Sequence, residues 1–94
     1  MRTIEKITVK PVFVKYIPDV LEQGTIYISK EFHVAVHLCL CGCGEKAVMG
    51  LGLEFKGWNL TENDEKVSFS PSILNTNCPN RYHYIITNNI ANVV

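Results

Sequence analysis

Three cysteines within five residues have the spacing of a metal-binding turn: Cys39, Cys41 and Cys43. On an extended strand, side chains two residues apart point to the same side at intervals of about 6.6 Å. That interval is too wide for sulfur atoms that bind one zinc ion at about 2.3 Å. The chain is therefore expected to curl around a metal, and Gly42 and Gly44 permit the backbone angles that a curl needs.

The fourth ligand of such a site stays open at this point. Cys78 lies in a turn-like stretch far along the chain, where it can close the site from the opposite side, and His37 and His83 are the other candidates. Three local cysteines and Cys78 predict a structural Zn²⁺ site. The alternative is a set of thiols or disulfides without a metal, but a Cys-x-Cys disulfide is strained and leaves the other thiols unexplained.

A second candidate site lies in residues 70–84, a polar stretch that we interpret as a long loop. Ser72 follows Pro71, and His83 begins the next strand pattern. A serine beside an imidazole can perform nucleophilic acyl transfer, with the histidine as general base. The alternative is that Ser72 makes a local hydrogen bond and His83 packs or binds zinc. His37 is a second candidate for the base.

Strand patterns dominate the segments that must position these residues. Residues 32–38 alternate and lead into the cysteine turn, and 47–49 leave it, which predicts a hairpin with the turn at its tip. Further hairpins are predicted for 58–61 with 66–70, and for 82–87 with 90–93. Only residues 17–24 offer space for a helical turn. About seven or eight short strands, with antiparallel hairpins around a zinc site, predict an all-β domain over residues 1–94.

The aromatic side chains are expected to form core and cross-strand contacts rather than to do chemistry. They are Phe13, Tyr27, Phe32, Phe55, Trp58, Phe69, Tyr82 and Tyr84.

Composition narrows the classes of function. Nine basic and nine acidic residues cancel, and no basic cluster is present, so a nucleic-acid partner is not expected. The first residues mix charges and lead into no apolar run, so neither a secretory signal nor a membrane span is predicted. We expect a cytoplasmic protein, and reduced thiols in that compartment favour a metal over disulfides. The core of a 94-residue domain provides only marginal stability, so a bound metal is expected to contribute to folding.

Four blocks of the sequence together resemble a bacterial and phage family long described as a domain of unknown function. The blocks are Val14–Ser29, Ala35–Gly44, Val67–Ile73 and His83–Ile86. The most specific is the His-x-Cys-x-Cys-Gly-Cys-Gly run that begins at His37. Many members of that family are encoded beside genes for bacterial ubiquitin-like conjugation.

The resemblance implies a zinc-containing serine peptidase that processes or removes a bacterial ubiquitin-like protein. The family's serine after proline falls on Ser72, its histidine before tyrosine on His83, and its cysteine cluster on the cysteines of the turn. It implies acyl transfer at a glycine-ended tail, with Ser72 attacking, His83 or His37 taking the proton, and loop amides forming an oxyanion hole. The implied partner is the ubiquitin-like protein or its conjugation enzymes.

The sequence departs from the family pattern near the candidate serine and histidine. Asn80 stands where the family has a cysteine, with Cys78 two residues earlier, and Leu74 and Tyr82 replace small residues. The segment 50–57 is longer than the family's link to the tryptophan. These departures indicate a metal site rebuilt around Cys78, or a member that kept the zinc fold and lost the peptidase. The alternative function is therefore a non-catalytic, zinc-stabilised interaction module, including one encoded by a phage, that binds host conjugation or defence machinery.

Overall fold

The computed structural model describes residues 6–52, 57–74 and 83–93, and these form strands and turns without a helix. The strands are β1 Lys6–Thr8, β2 Lys10–Phe13, β3 Thr25–Ser29, β4 Val34–Leu38, β5 Lys46–Gly50, β6 Asn59–Asn63, β7 Lys66–Leu74, β8 His83–Thr87 and β9 Ile90–Val93. The all-β prediction is confirmed, and the three predicted hairpins are present as β4–β5, β6–β7 and β8–β9. Residues 17–24 form bends and turns, and the helical turn for which they offer space is not formed.

The strands form two sheets. One has five strands in the order β1-β9-β8-β7-β6, and the other has four in the order β2-β3-β4-β5. The chain passes from the first sheet to the second at Val9, whose buried side chain lies between β1 and β2. One pairing departs from the expected antiparallel hairpins, because β2 and β3 are parallel. The connection 14–24 carries the chain back to the start of β2, so that β3 runs in the same direction.

The hydrophobic core lies between the two sheets and fixes which face of each strand points inward. The four-stranded sheet contributes Ile26, Ile28, Ala35 and Met49, and the five-stranded sheet contributes Val67, Phe69, Ile73, Tyr84, Ile86 and Ala91. In β8 the alternation is regular, since Tyr84 and Ile86 are buried while His83 and Ile85 are only partly covered. This alternation places the candidate base away from the core.

The prediction of aromatic packing is correct at some positions and wrong at two. Phe69, Tyr84 and Tyr27 are buried, and Trp58 packs against the core. Phe13 and Phe32 are instead 46% and 53% exposed. They lie at the end of β2 and in the turn between β3 and β4, where their rings contact surface side chains: Lys30 lies 4.9 Å from the Phe13 ring, and Tyr16 lies 5.5 Å from the Phe32 ring. Phe55 and Tyr82 lie outside the described residues.

Within the described part of the chain, no helix has the length and apolar character needed to cross a membrane.

Candidate active site and metal centre

Ser72 lies in an irregular stretch of β7 rather than in a long loop. Phe69 pairs with Ile86, but Ile73 pairs with Tyr84, so the register of β7 against β8 shifts between residues 69 and 73. The interpretation of residues 70–84 as one loop is therefore wrong for 70–74, which continue the strand because Ile73 is buried in the core. Such irregularities re-aim side chains and are frequent beside active sites.

Ser72 and His83 form a hydrogen-bonded pair on the outer face of the five-stranded sheet. The distance from Ser72 Oγ to His83 Nε2 is 2.6 Å. Each residue immediately precedes a buried one, Ile73 and Tyr84 respectively, and successive side chains on a strand point to opposite faces. Both members of the pair are half-buried, so they are supported by their neighbours but open to an approaching molecule.

Trp58 holds the main chain at Ser72. Its indole N–H donates to the Ser72 carbonyl oxygen at 3.3 Å, within the stretch where the ladder with β8 is irregular. The Trp58 backbone is fixed in turn, because its N–H donates to the Gly50 carbonyl at 2.8 Å. Gly57 is needed for this approach, since a Cβ atom at that position would overlap the Gly50 carbonyl oxygen. The absence of a side chain at Gly57 thus allows the close backbone contact that places Trp58 beside Ser72.

His37 has a different environment from His83. It is 1% exposed, and its Nε2 lies 2.6 Å from the Tyr84 hydroxyl oxygen. Burial lowers the pKa of His37 from 6.5 to about 4, so the imidazole is neutral at pH 7. Its Nδ1 has no hydrogen-bond partner among the described residues. Of the two histidines considered as a base, the one that hydrogen-bonds to Ser72 is His83.

The cysteine turn brings three sulfur atoms together at the tip of the β4–β5 hairpin. The Sγ atoms of Cys39, Cys41 and Cys43 all lie within 4.8 Å of one another, and those of Cys39 and Cys41 are 3.5 Å apart. Two ligands of a tetrahedral zinc ion with bonds of about 2.3 Å are roughly 3.8 Å apart. Gly42 and Gly44 have φ angles of 87° and 85°, which supply the predicted curl. The sulfur positions therefore fit a metal ion.

Among the described residues, no fourth histidine, cysteine, aspartate or glutamate joins this cluster. The group that fits a metal contains the three cysteines and neither His37 nor His83. Cys78, the remaining candidate, lies outside the described part of the chain.

The fold and the site define a small all-β domain with a hydrogen-bonded serine–histidine pair and a cysteine cluster suited to a metal. The chain belongs to the BubE family, described as the bacterial ubiquitination-like system serine protease, whose family model matches residues 13–94. This match confirms the resemblance noted in the sequence. No curated protein and no solved structure matches the chain.

The sequence predicts Ser72 and His83 as site residues, but it predicts no polar contact for Trp58 or Tyr84. In the structure the Trp58 indole donates to the Ser72 carbonyl oxygen, and the Tyr84 hydroxyl contacts His37. Their only sequence signal is chemical type, because tryptophan and tyrosine usually satisfy their N–H or O–H when buried.

Proposed function

We propose that this chain is a serine peptidase that processes or removes a bacterial ubiquitin-like protein. Membership of a family of serine proteases in a ubiquitination-like system supports the class of reaction and the pathway. The single observation that carries the assignment of residues is the 2.6 Å contact between Ser72 Oγ and His83 Nε2. This contact is within the range that proton transfer from a nucleophile to a base requires.

In the proposed reaction, Ser72 Oγ attacks the carbonyl carbon of the scissile bond while its proton passes to His83 Nε2. The proton is then donated to the leaving amine, the bond to nitrogen breaks, and an ester links the substrate to Ser72. Water, deprotonated by His83, attacks the ester; the bond to Ser72 Oγ then breaks, His83 returns the proton to that oxygen, and the acid is released. Main-chain amides of the loop after Ser72 stabilise the oxyanion in this proposal; that loop lies outside the described residues.

The substrate segment in this proposal is the glycine-ended tail of the ubiquitin-like protein. The pair lies on the outer face of a sheet, where both side chains are half-buried. An extended tail without bulky side chains can approach such a face closely, because glycine lets the backbone come near the nucleophile.

The metal has a structural role in this proposal. Cys39, Cys41 and Cys43 would hold a Zn²⁺ ion. Cys78 is the proposed fourth ligand, and four thiolates would leave no position for a substrate. The ion contributes folding free energy to the hairpin β4–β5, and the reaction uses only Ser72, His83 and main-chain amides.

The test compares Ser72→Ala with Ser70→Ala, an exposed serine on the same strand. Wild-type chain and Ser70→Ala should react with a fluorophosphonate at Ser72 and cleave a ubiquitin-like precursor. Ser72→Ala should lose both activities by at least about a thousandfold while its thermal unfolding is unchanged. Undiminished labelling or cleavage in Ser72→Ala would remove this serine from the mechanism.

The second candidate function is a non-catalytic interaction module that binds the same conjugation machinery. It is favoured by Leu74, Asn80 and Tyr82, which depart from the family pattern beside the pair. This function predicts that the folded wild-type chain is not labelled by the fluorophosphonate and that Ser72→Ala binds its protein partner as tightly as the wild type does.

A further inference from the structure

A buried hydrogen bond connects the two sheets through His37 and Tyr84. His37 lies on β4 of the four-stranded sheet, and Tyr84 lies on β8 of the five-stranded sheet. The two rings meet edge to face, with centroids 5.9 Å apart and planes at 69°. With 1% and 0% exposure, both side chains are shielded from water, so their relative position is fixed by packing as well as by the bond.

The two hydrogen-bonded residues are close in sequence to the candidate base and to the cysteine turn. Tyr84 immediately follows His83, and His37 stands two residues before Cys39, the first cysteine of the turn. The Tyr84 hydroxyl therefore anchors the start of the strand that carries the imidazole. A displacement of β8 relative to β4 would stretch the 2.6 Å bond and would also move His83 relative to Ser72.

A gain in stability does not by itself explain the hydrogen bond between His37 and Tyr84. His37 is 1% exposed, and its Nδ1 lacks a partner among the described residues, which costs free energy. Two apolar side chains of similar volume would avoid that cost. Buried polar pairs of this kind supply directional geometry, which apolar packing does not.

We propose that Tyr84 and His37 are positioning residues that hold the His83 imidazole at the distance from Ser72 that proton transfer requires. This role rests on the proposed function, because it concerns the same serine–histidine pair. A small displacement of a base reduces a rate by one to two orders of magnitude. The hydrogen bond between Tyr84 and His37 thus makes the reactivity of Ser72 depend on the packing of the two sheets.

The experiment measures the fluorophosphonate reaction of Ser72 in the metal-loaded full chain, separating the maximal inactivation rate from the concentration that gives half of it. Tyr84→Phe and His37→Phe remove the bond and keep aromatic volume; we expect the maximal rate to fall about tenfold with the half-saturating concentration unchanged. His37→Gln supplies an amide in place of Nε2 and should recover most of the rate. Combining Tyr84→Phe with His37→Phe should cost little more than either change alone.

Ile86→Val is the matched control. Ile86 is buried on the same face of β8, two residues after Tyr84, and loses one methylene without touching the bond. Destabilisation alone lowers the fraction of chain that is labelled, whereas misplacement of His83 lowers the rate in folded molecules. The proposal is overturned if Tyr84→Phe and His37→Phe react at the wild-type rate, or if Ile86→Val slows the reaction equally. A folded wild-type chain that is not labelled at Ser72 instead overturns the proposed function, and this role with it.

Discussion

The three histidines of this chain show that environment, rather than residue type, decides what an imidazole does. His37 is buried and neutral, His83 is half-buried beside a serine, and His33 is exposed in a turn with a φ angle of 53°. Sequence spacing left both His37 and His83 as candidate bases. The structure decides between them, because His83 contacts Ser72 whereas His37 contacts Tyr84, 47 residues away, and neither contact has a local signature in the sequence.

The first prediction concerns the base. His83→Gln should retain a hydrogen bond to Ser72 but cannot accept its proton, so the fluorophosphonate rate should fall by about 10²–10⁴-fold. His33→Asn is the control, because His33 is exposed and asparagine tolerates its positive φ. If His83→Gln is labelled as fast as His33→Asn, the proton must go to another group.

Among the elements, β7 matters most because it carries the half-buried Ser72 beside a shift in register while Ile73 remains buried. The existence of this strand was predictable from the alternation in residues 66–70. Its continuation to Leu74 was not, because Pro71 and the polar residues after it suggested a loop. Burial of Ile73 between the sheets overrides that local preference. The parallel pairing of β2 with β3 was missed for the same reason, since it depends on how the sheets pack.

A second prediction tests the contact between Trp58 and β7. Trp58→Phe keeps an aromatic ring against the core but leaves the Ser72 carbonyl without its indole donor. We expect a loss of about 1–2 kcal/mol in the free energy of unfolding and a slower fluorophosphonate reaction. Phe69→Leu, a core change on the same strand that leaves this bond intact, should lower stability without slowing the reaction of folded molecules. Equal reaction rates for Trp58→Phe and wild type would show that the indole does not position Ser72.

A third prediction concerns Gly57. In Gly57→Ala the new methyl group would overlap the Gly50 carbonyl, so the backbone must separate and Trp58 must move. Gly24→Ala is the comparison, because Gly24 has a φ of 85° but open space around its Cβ position. Gly24→Ala should cost about 1 kcal/mol from backbone conformation alone, and urea unfolding should show a larger loss for Gly57→Ala. A smaller loss at Gly57 would contradict the close backbone contact.

The whole molecule is held together mainly by its core and, in our proposal, by the metal. The exposed ion pair between Lys30 and Glu62, 2.7 Å apart, contributes little because both side chains remain in water. The core is small, as expected for 94 residues, so a metal ion bound at the β4–β5 hairpin would have a large effect on stability. The cysteine turn was the best-predicted part of the chain, since its sulfur positions follow from three local residues and two glycines.

The fourth prediction therefore concerns metal removal. Cys41→Ser should bind no zinc and should unfold at a lower temperature than the wild type, and a chelator should destabilise the wild type but leave Cys41→Ser unchanged. Elemental analysis should find one zinc ion for each wild-type chain. Native chain without bound metal, or a chelator effect of equal size in both chains, would contradict the site.

The close contact of Gly50 with Gly57 also bears on which changes in length the chain tolerates. Hydrogen bonds from Gly57 N–H to Gly52, from Gly52 N–H to Trp58 and from Trp58 N–H to Gly50 close this segment at its base. Residues added between Gly52 and Gly57 would lengthen a segment whose ends are already joined, at an entropic cost that grows only slowly with length. We therefore expect insertions in this segment to leave in place the tryptophan whose indole donates to the Ser72 carbonyl.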